Sequence, residues 1–348
     1  MSNTEGFAPE ITTTPIHTQA TATEPTLVET TSVPPPATVE TPTPAATAEA
    51  PQPAATPKSP TEPATVTAAS PEKTQEAPEP QNPLTEKFTA QEWIVLKEFR
   101  DALPEILALA FPDDPKAKET PITMWGVKID PNNPRNAKVS VVLMKFLRAR
   151  NLSVRDARDM FQTTLRWRKS FDVEGAMTQK YPEGLFDSMG HIYGKDKEGR
   201  PVMYNVYGGD QDLKAIFSDV QLFLRWRVAL HERMMQQLDF ESIDQTLQIH
   251  DYEGVSLTSR DANSKSAASE AANIFSSHYP ELLFKKFFIN VPTLLNWIFW
   301  AFKSIIPAAT LAKMSVVGTG HHAIHKALSP YISEEELPKR YGGHAQGF

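Results

Sequence analysis

Proline and the aromatic residues are divided so unevenly along this chain that a folded core is confined to the residues after 87. Of the 30 prolines, 17 lie within residues 1–85, and Phe7 is the only aromatic residue before Phe88. Thr, Ala, Pro and Glu fill the rest of that stretch, as in PPPATVETPTPAATAEAPQPAATP. Such a segment buries too little apolar surface to offset the entropy of ordering it, so residues 1–87 read as a disordered tail. Charge divides the same way: residues 1–85 hold ten Glu and two Lys with no Asp or Arg, a net of −8. The other 33 basic and 32 acidic residues leave the remainder at +1. A near-neutral folded part argues against a nucleic-acid partner, which calls for a strongly basic face.

The chain contains no cysteine. Disulfides, thiolate catalysis, Cys-ligated zinc, iron–sulfur clusters and covalent haem attachment are therefore excluded. The N-terminus lacks the basic start and apolar core of a secretory signal. The most apolar run, residues 287–302, is shorter than the ~20 residues a membrane span needs, and Asn290, Pro292 and Asn296 interrupt it.

Two textures succeed the tail. Residues 88–172 predict a small helical domain: Trp93, Leu96, Phe99, Leu103 and Ile106 recur at helical spacing, as do Val139, Val142, Leu143, Phe146 and Leu147. Ser153 and Asp156 form an S-x-x-D capping pattern before a further helix, and PDDPKAKETP is a loop. From about residue 173 to 348 strand and helix signals alternate. Residues 191–207 read as a hairpin turning at 194–200, and Asp219 can cap a helix over 220–237. Strands are expected at 246–252, 286–291 and 313–317, with helices at 261–277 and 293–303. Alternation of this kind predicts an α/β domain with a largely parallel sheet.

Four features carry possible chemistry. On helix 220–237, Val220, Phe223, Leu224, Leu230 and Met234 form an apolar face that also holds Arg227 and His231. A buried arginine requires an anion, so Arg227 either makes a structural ion pair, reaches the edge with its guanidinium, or meets an anionic ligand in an internal pocket. In TLQIHDY, Gln248, His250 and Tyr252 share one face of a strand, opposite Leu247 and Ile249. His250 and Tyr252 could hold a metal or haem iron, or hydrogen-bond in a core. Lys286, Phe288 and Asn290 alternate with Phe287, Ile289 and Val291, so Lys286 faces either an internal site or solvent at an edge. Helix 293–303, apolar on most sides, is either buried core or a lid that touches a membrane. No G-x-S-x-G, Walker loop or H-E-x-x-H is present, and no catalytic constellation stands out.

Three ordered motifs carry a family resemblance over residues 90–345. LMKFLRARNLSVRDARDMF resembles the helical N-terminal motif of the CRAL-TRIO (Sec-fourteen-like) lipid transfer family, YPELLFKKFFINVP its signature strand, and LPKRYGG its closing segment. The resemblance implies the CRAL-TRIO lipid-binding fold: a mixed, largely parallel sheet as floor, with helices and a mobile gate helix at 293–303, behind a small all-helical domain. It implies phosphatidylinositol as a partner, its headgroup held at Glu281, Thr310 and Lys313. NVYGG, FLRWRVALHERMMQQLDF and IHDYEGVS are similar to segments of a fungal, haem-binding branch of that family. That likeness implies ferric haem b as cofactor, with Tyr252 as axial iron ligand, His250 beside it, and Tyr207, Arg227 and Lys286 as further haem contacts. The expected protein is a non-enzymatic carrier, cytoplasmic and peripherally bound through its gate helix to endoplasmic reticulum membrane. A peroxidase- or catalase-type haem enzyme and a plain lipid carrier are the alternatives.

Overall fold

The computed structural model describes residues 78–209, 211–255, 262–291 and 308–348. The tail up to residue 77 and the helix expected at 293–303 lie outside the described residues. A short 3-10 turn at Thr85–Lys87 leads into α1 (Ala90–Asp101) and α2 (Leu103–Ala110). Thr89 and Glu92 form a capping box: the Thr89 hydroxyl accepts from Glu92 N at 3.2 Å, and the Glu92 carboxylate accepts from Thr89 N at 2.9 Å. This reciprocal satisfaction of free amides fixes where α1 begins. The ordered part starts earlier than the composition predicts. Asn82 donates to the Phe240 carbonyl at 3.0 Å, Thr85 is fully buried, and Arg100 pairs with Glu79 at 2.7 Å. Residues 79–87 are thus an anchor of the folded part, drawn into it by polar groups that a Pro-rich window conceals.

A two-stranded hairpin follows, β1 (Ile122–Met124) and β2 (Val127–Ile129), where no strand is expected. Its turn residues, Trp125 at φ 51° and Gly126 at φ 82°, both adopt positive φ, as a two-residue hairpin loop of this twist demands. The conformation is unusual for tryptophan, and burial compensates: the Trp125 ring stacks on Phe146 at 5.7 Å and Tyr279 at 6.2 Å. Helices α3 (Ala137–Arg148) and α4 (Val154–Phe171) match the expected periodicity, with Asn136 and Ser153 as their caps. A short α5 spans Val173–Thr178.

The second half carries a five-stranded sheet in the order β3-β4-β5-β6-β7. β3 (Gly190–Lys195) runs antiparallel to β4 (Pro201–Val206); β5 (Thr246–Asp251), β6 (Leu283–Ile289) and β7 (Met314–Val316) continue it in parallel. This is the mixed, largely parallel α/β sheet that the sequence predicts. A short α6 (Leu213–Ile216) and the long α7 (Val220–Met235) connect β4 to β5, and α8 (Ala262–His278) lies between β5 and β6. Asp219 caps α7, accepting from Leu222 N at 2.9 Å. A helix at Ala308–Ala312 precedes β7, and another at His321–Leu328 comes after it.

Each sheet face has its own core. Val202, Tyr204, Leu247, Ile249, Phe287 and Ile289 point backward and meet Ile324, Leu328, Ile332, Leu337 and Tyr341 of the C-terminal segment. The front face joins α7 and α8 in a larger core that runs without a break into α1–α4. The helical half therefore shares its core with the sheet half, and no boundary at 172 divides the apolar interior. A buried ionic group ties them: Arg168 of α4 places two nitrogens on Glu232 of α7, at 2.6 and 3.2 Å, and the Tyr279 hydroxyl donates to the same carboxylate at 2.7 Å. Lys145 of α3, also buried, reaches Asp244 at 2.6 Å and the Glu281 carbonyl at 3.0 Å.

Removing one partner of such a pair strands a buried charge. Glu232→Ala is expected to destabilise the protein by about 3–5 kcal/mol in urea unfolding. Adding Arg168→Met to that variant should restore most of the loss; a single variant with an unchanged unfolding midpoint would contradict this role.

Candidate functional site

The front face of the sheet acquires its polar character from residues at alternate strand positions. In the parallel register, Gln248 sits opposite Lys286, His250 opposite Phe288, and Asn205 opposite His250. The strands β4 and β5 are buried along their whole length, so any polar side chain facing forward is enclosed. Tyr207 lies just past β4, its amide donating to the Asp251 carbonyl at 2.9 Å. Tyr252 lies just past β5, its amide donating to the Ile289 carbonyl at 3.1 Å. The two phenol rings stack with centroids 5.1 Å apart, and Tyr207 Oη shares a 3.0 Å hydrogen bond with His250 Nδ1. His250, two residues before Tyr252 in the chain, is thus hydrogen-bonded to Tyr207.

Helix α7 closes the site from above and brings two further groups. Arg227 is 6% exposed; its guanidinium approaches the Met203 sulfur at 3.3 Å and lies 5.6 Å over the Phe275 ring. His231, one turn on, packs between Phe275 and Tyr279 with both ring nitrogens enclosed and without a hydrogen-bond partner among the described residues. Lys286 comes from β6, its ammonium 6.0 Å from the Phe288 ring. Neither Arg227 nor Lys286 has a carboxylate partner among the described residues. Tyr207 and Lys286 are half-buried.

Electrostatics follow from that enclosure. Burial, and then the nearby Arg227, bring the Lys286 ammonium down to about 8 from 10.5. Burial likewise lowers Arg227, with partial compensation from Tyr207 and Tyr252. His250 and His231 are pushed well below 6.5, first by burial and then by the positive charges of Lys286 and Arg227, so both imidazoles are neutral. Tyr207 is raised by burial against the pull of Arg227 and keeps its proton. Two cations without a carboxylate partner among the described residues thus lie beside phenols and neutral imidazoles.

A second group lies where β6 begins. Glu281, at φ 53°, directs its carboxylate to Lys313 Nζ at 2.9 Å, and Lys313 N donates to the Thr310 carbonyl at 3.1 Å. The pair is partly exposed, 36% for Glu281 and 28% for Lys313, so its attraction contributes little stability in water. The strand ladder links both groups: Lys286 N donates to the Lys313 carbonyl at 2.9 Å.

Family models match the chain in two places. The CRAL/TRIO, N-terminal domain covers residues 95–163, and the CRAL/TRIO domain covers residues 186–343. The phosphatidylinositol transfer protein SFH5 of Cryptococcus neoformans is 33% identical over 240 residues, covering 63% of this chain and 79% of that protein. The chain belongs to the CRAL/TRIO family. The phosphatidylinositol transfer protein sfh5 of Sclerotinia sclerotiorum is 35% identical over 266 residues, 72% of this chain. The chain spans about three-fifths of the length of that relative and of its Botryotinia fuckeliana counterpart, 61% and 57%. The crystal structure of Sfh5 superposes with a TM-score of 0.60 at 24% identity, over 69% of this chain and 84% of that one, which shows a shared fold. Both candidate groups fall inside the matched CRAL/TRIO domain.

Two contributors escaped the sequence. Met203 and Phe275, which flank Arg227, look like ordinary core residues in isolation. Asn290 was expected beside Lys286 and Phe288, but its φ of 54° turns its amide to Asp251 at 2.8 Å, on the back of the sheet. Lys145 in the apolar run VVLMKFL was the visible signal that a buried acidic partner exists. No helix among the described residues is long and apolar enough to cross a membrane.

The depressed lysine gives a signed pH dependence. Below about pH 8 the enclosed charge destabilises the ligand-free fold in full; between 8 and 10.5 the unfolded chain binds a proton that the folded chain lacks, so this contribution to stability rises with pH. Lys286→Met is therefore expected to raise the thermal midpoint at pH 7 and to lose that advantage across this window. A midpoint difference that stays constant from pH 7 to pH 10 would contradict it.

Proposed function

We propose that this protein is a non-enzymatic carrier that binds and transfers phosphatidylinositol and holds ferric haem b, with Tyr252 as the axial iron ligand. The observation that carries the haem reading is the placing of buried Arg227 and half-buried Lys286 beside Tyr207, His250 and Tyr252 without an acidic partner among the described residues. When bound, haem supplies an iron centre and two carboxylates on a large apolar ring. Arg227 and Lys286 would take the carboxylates in charge-assisted bonds, strong in a site closed to water. Tyr252 would face the metal, and the positive charge of Arg227 favours its phenolate. Tyrosine oxygen is a documented haem ligand. Tyr207 and His250, bonded to each other, would fix the wall beside it.

The lipid reading is supported by the phosphatidylinositol transfer for which the relatives are named and by the Glu281–Lys313 pair with Thr310 beside it. A carboxylate and an ammonium, partly open, can exchange their mutual contact for the hydroxyls and phosphate of an inositol headgroup. The apolar segment 293–303, outside the described residues, is proposed from its sequence as the gate that meets the membrane.

Vesicle assays test the lipid arm. Glu281→Ala and Lys313→Ala are each expected to reduce phosphatidylinositol transfer by about tenfold, the effect of losing one charge-assisted bond, and unchanged transfer would contradict the assignment. Protein purified from a haem-replete host tests the other arm. It should show a Soret band that Tyr252→Phe shifts or abolishes. Colourless protein would leave a plain lipid carrier, and rapid peroxide turnover would make it an enzyme.

A further inference from the structure

Lys145 sits in the apolar run of α3 with its side chain 3% exposed, yet its ammonium makes two contacts of different kinds. One is the ion pair with Asp244 at 2.6 Å, which answers its charge. The other is a 3.0 Å hydrogen bond to the backbone carbonyl of Glu281, 136 residues on in the chain. Asp244 alone would account for a structural lysine, and the second bond is left without that explanation. Its acceptor belongs to the residue whose carboxylate forms the candidate headgroup pair with Lys313.

Glu281 needs such a hold. Its φ of 53° is in the left-handed region, which costs a residue with a Cβ energy and persists only where the surroundings impose it. The backbone on both sides is tied down. Tyr279 is buried and donates to Glu232, and the Leu282 carbonyl accepts from Thr246 N at 2.9 Å and from Thr246 Oγ1 at 3.2 Å. At Glu281 itself the carbonyl accepts from Lys145 and, at 3.4 Å, from Gln245 Nε2. The charge-assisted bond from Lys145 is the stronger of the two. The carbonyl is drawn inward to the ammonium, while the carboxylate, 36% exposed, reaches Lys313 at 2.9 Å. One residue thereby carries an inner anchor and an outer ligand group.

We propose that Lys145 is a positioning residue for phosphatidylinositol: its bond to the Glu281 carbonyl fixes the backbone that presents the Glu281 carboxylate to the headgroup. The inference rests on the lipid reading above and adds to it a part for the helical half, since α3 then sets the geometry of a group at the start of a sheet strand. Lys145, being buried, acts through Glu281 and not on the lipid itself. Without the ammonium, residue 281 is free to leave the left-handed region, and its carboxylate no longer keeps one direction. A carboxylate that samples several orientations must be ordered when the headgroup binds. Affinity for the headgroup then falls, while the apolar part of the lipid is held as before.

The test is phosphatidylinositol transfer by the full chain between phosphatidylcholine vesicles, the donors doped with phosphatidylinositol. Lys145→Met combined with Asp244→Leu removes the ion pair as a whole, so no buried charge is stranded and the thermal midpoint should stay close to that of the unsubstituted protein. Transfer should nevertheless fall by about tenfold, as for Glu281→Ala, and the loss should shrink as the phosphatidylinositol content of the donors is raised. Adding Glu281→Ala to that pair should cost nothing further, because both changes remove one function. Lys145→Arg, which keeps a cation able to reach the carbonyl, should retain most of the transfer. Should the paired variant melt early, the same cycle decides: a fold defect lowers transfer equally with or without the Glu281 side chain, a positioning defect only with it. Normal transfer by the paired variant where Glu281→Ala loses it, or losses that multiply in the combined variant, would overturn this inference alone. Unchanged transfer by Glu281→Ala would overturn the lipid reading and this inference together.

Discussion

The placing of buried Arg227 and half-buried Lys286 on one face of the sheet, with no carboxylate to answer them among the described residues, is the constraint on which this structure turns. Two like charges in a poorly solvated interior repel each other and lose hydration, so the arrangement works against the fold. Elsewhere the same chain pairs its interior charges with care: Arg168 with Glu232, Lys145 with Asp244, Arg100 with Glu79. The contrast separates structure from function. Where the fold buries Arg168, Lys145 and Arg100 it supplies an acid; Arg227 and Lys286 have none among the described residues, which supports the proposal of an anionic ligand.

The remaining architecture holds that site in place. The back of the sheet is sealed by an apolar C-terminal segment, and Asp251, fully buried between His250 and Tyr252 in sequence, anchors it there. Its carboxylate accepts from Asn290 at 2.8 Å and from Tyr341 at 2.9 Å. Every second residue of β5 is thereby locked backward, which obliges His250 to face forward. On the front, α7 lies across the sheet in a core shared with α1–α4, so the ionic group around Glu232 sets the height at which Arg227 hangs. The helical half thus shares its apolar core with the helix that carries Arg227.

Much of this was legible in the sequence because it depends on local periodicity. The cap at Asp219, the apolar stripe of α7 with Arg227 and His231 embedded in it, and the alternation in TLQIHDY each imply a face, and the faces assemble as expected. Tyr207 was a different case, entering through family resemblance alone, since NVYGG carries no pattern that says where its tyrosine points. The misses have physical causes. Three-residue strands such as β1 and β2 have no period to detect, and a tryptophan at positive φ defies backbone preference until its burial against Phe146 is known. Asn290 broke the alternation because one left-handed residue rotates a strand end to the other face. Residues 79–87 were masked by the prolines around them. Pairings such as Arg168 with Glu232 join positions 64 residues apart and leave no local trace.

The central claim is that the interior cations await the carboxylates of an apolar ligand, and thermal unfolding with matched porphyrins tests it most directly. Haemin and its dimethyl ester share ring and metal and differ in negative charge. If Arg227 and Lys286 receive the carboxylates, haemin should raise the melting temperature of the ligand-free protein well above any shift from the ester, and Arg227→Met should erase the difference. Equal shifts from diacid and ester, or none from either, would contradict the account.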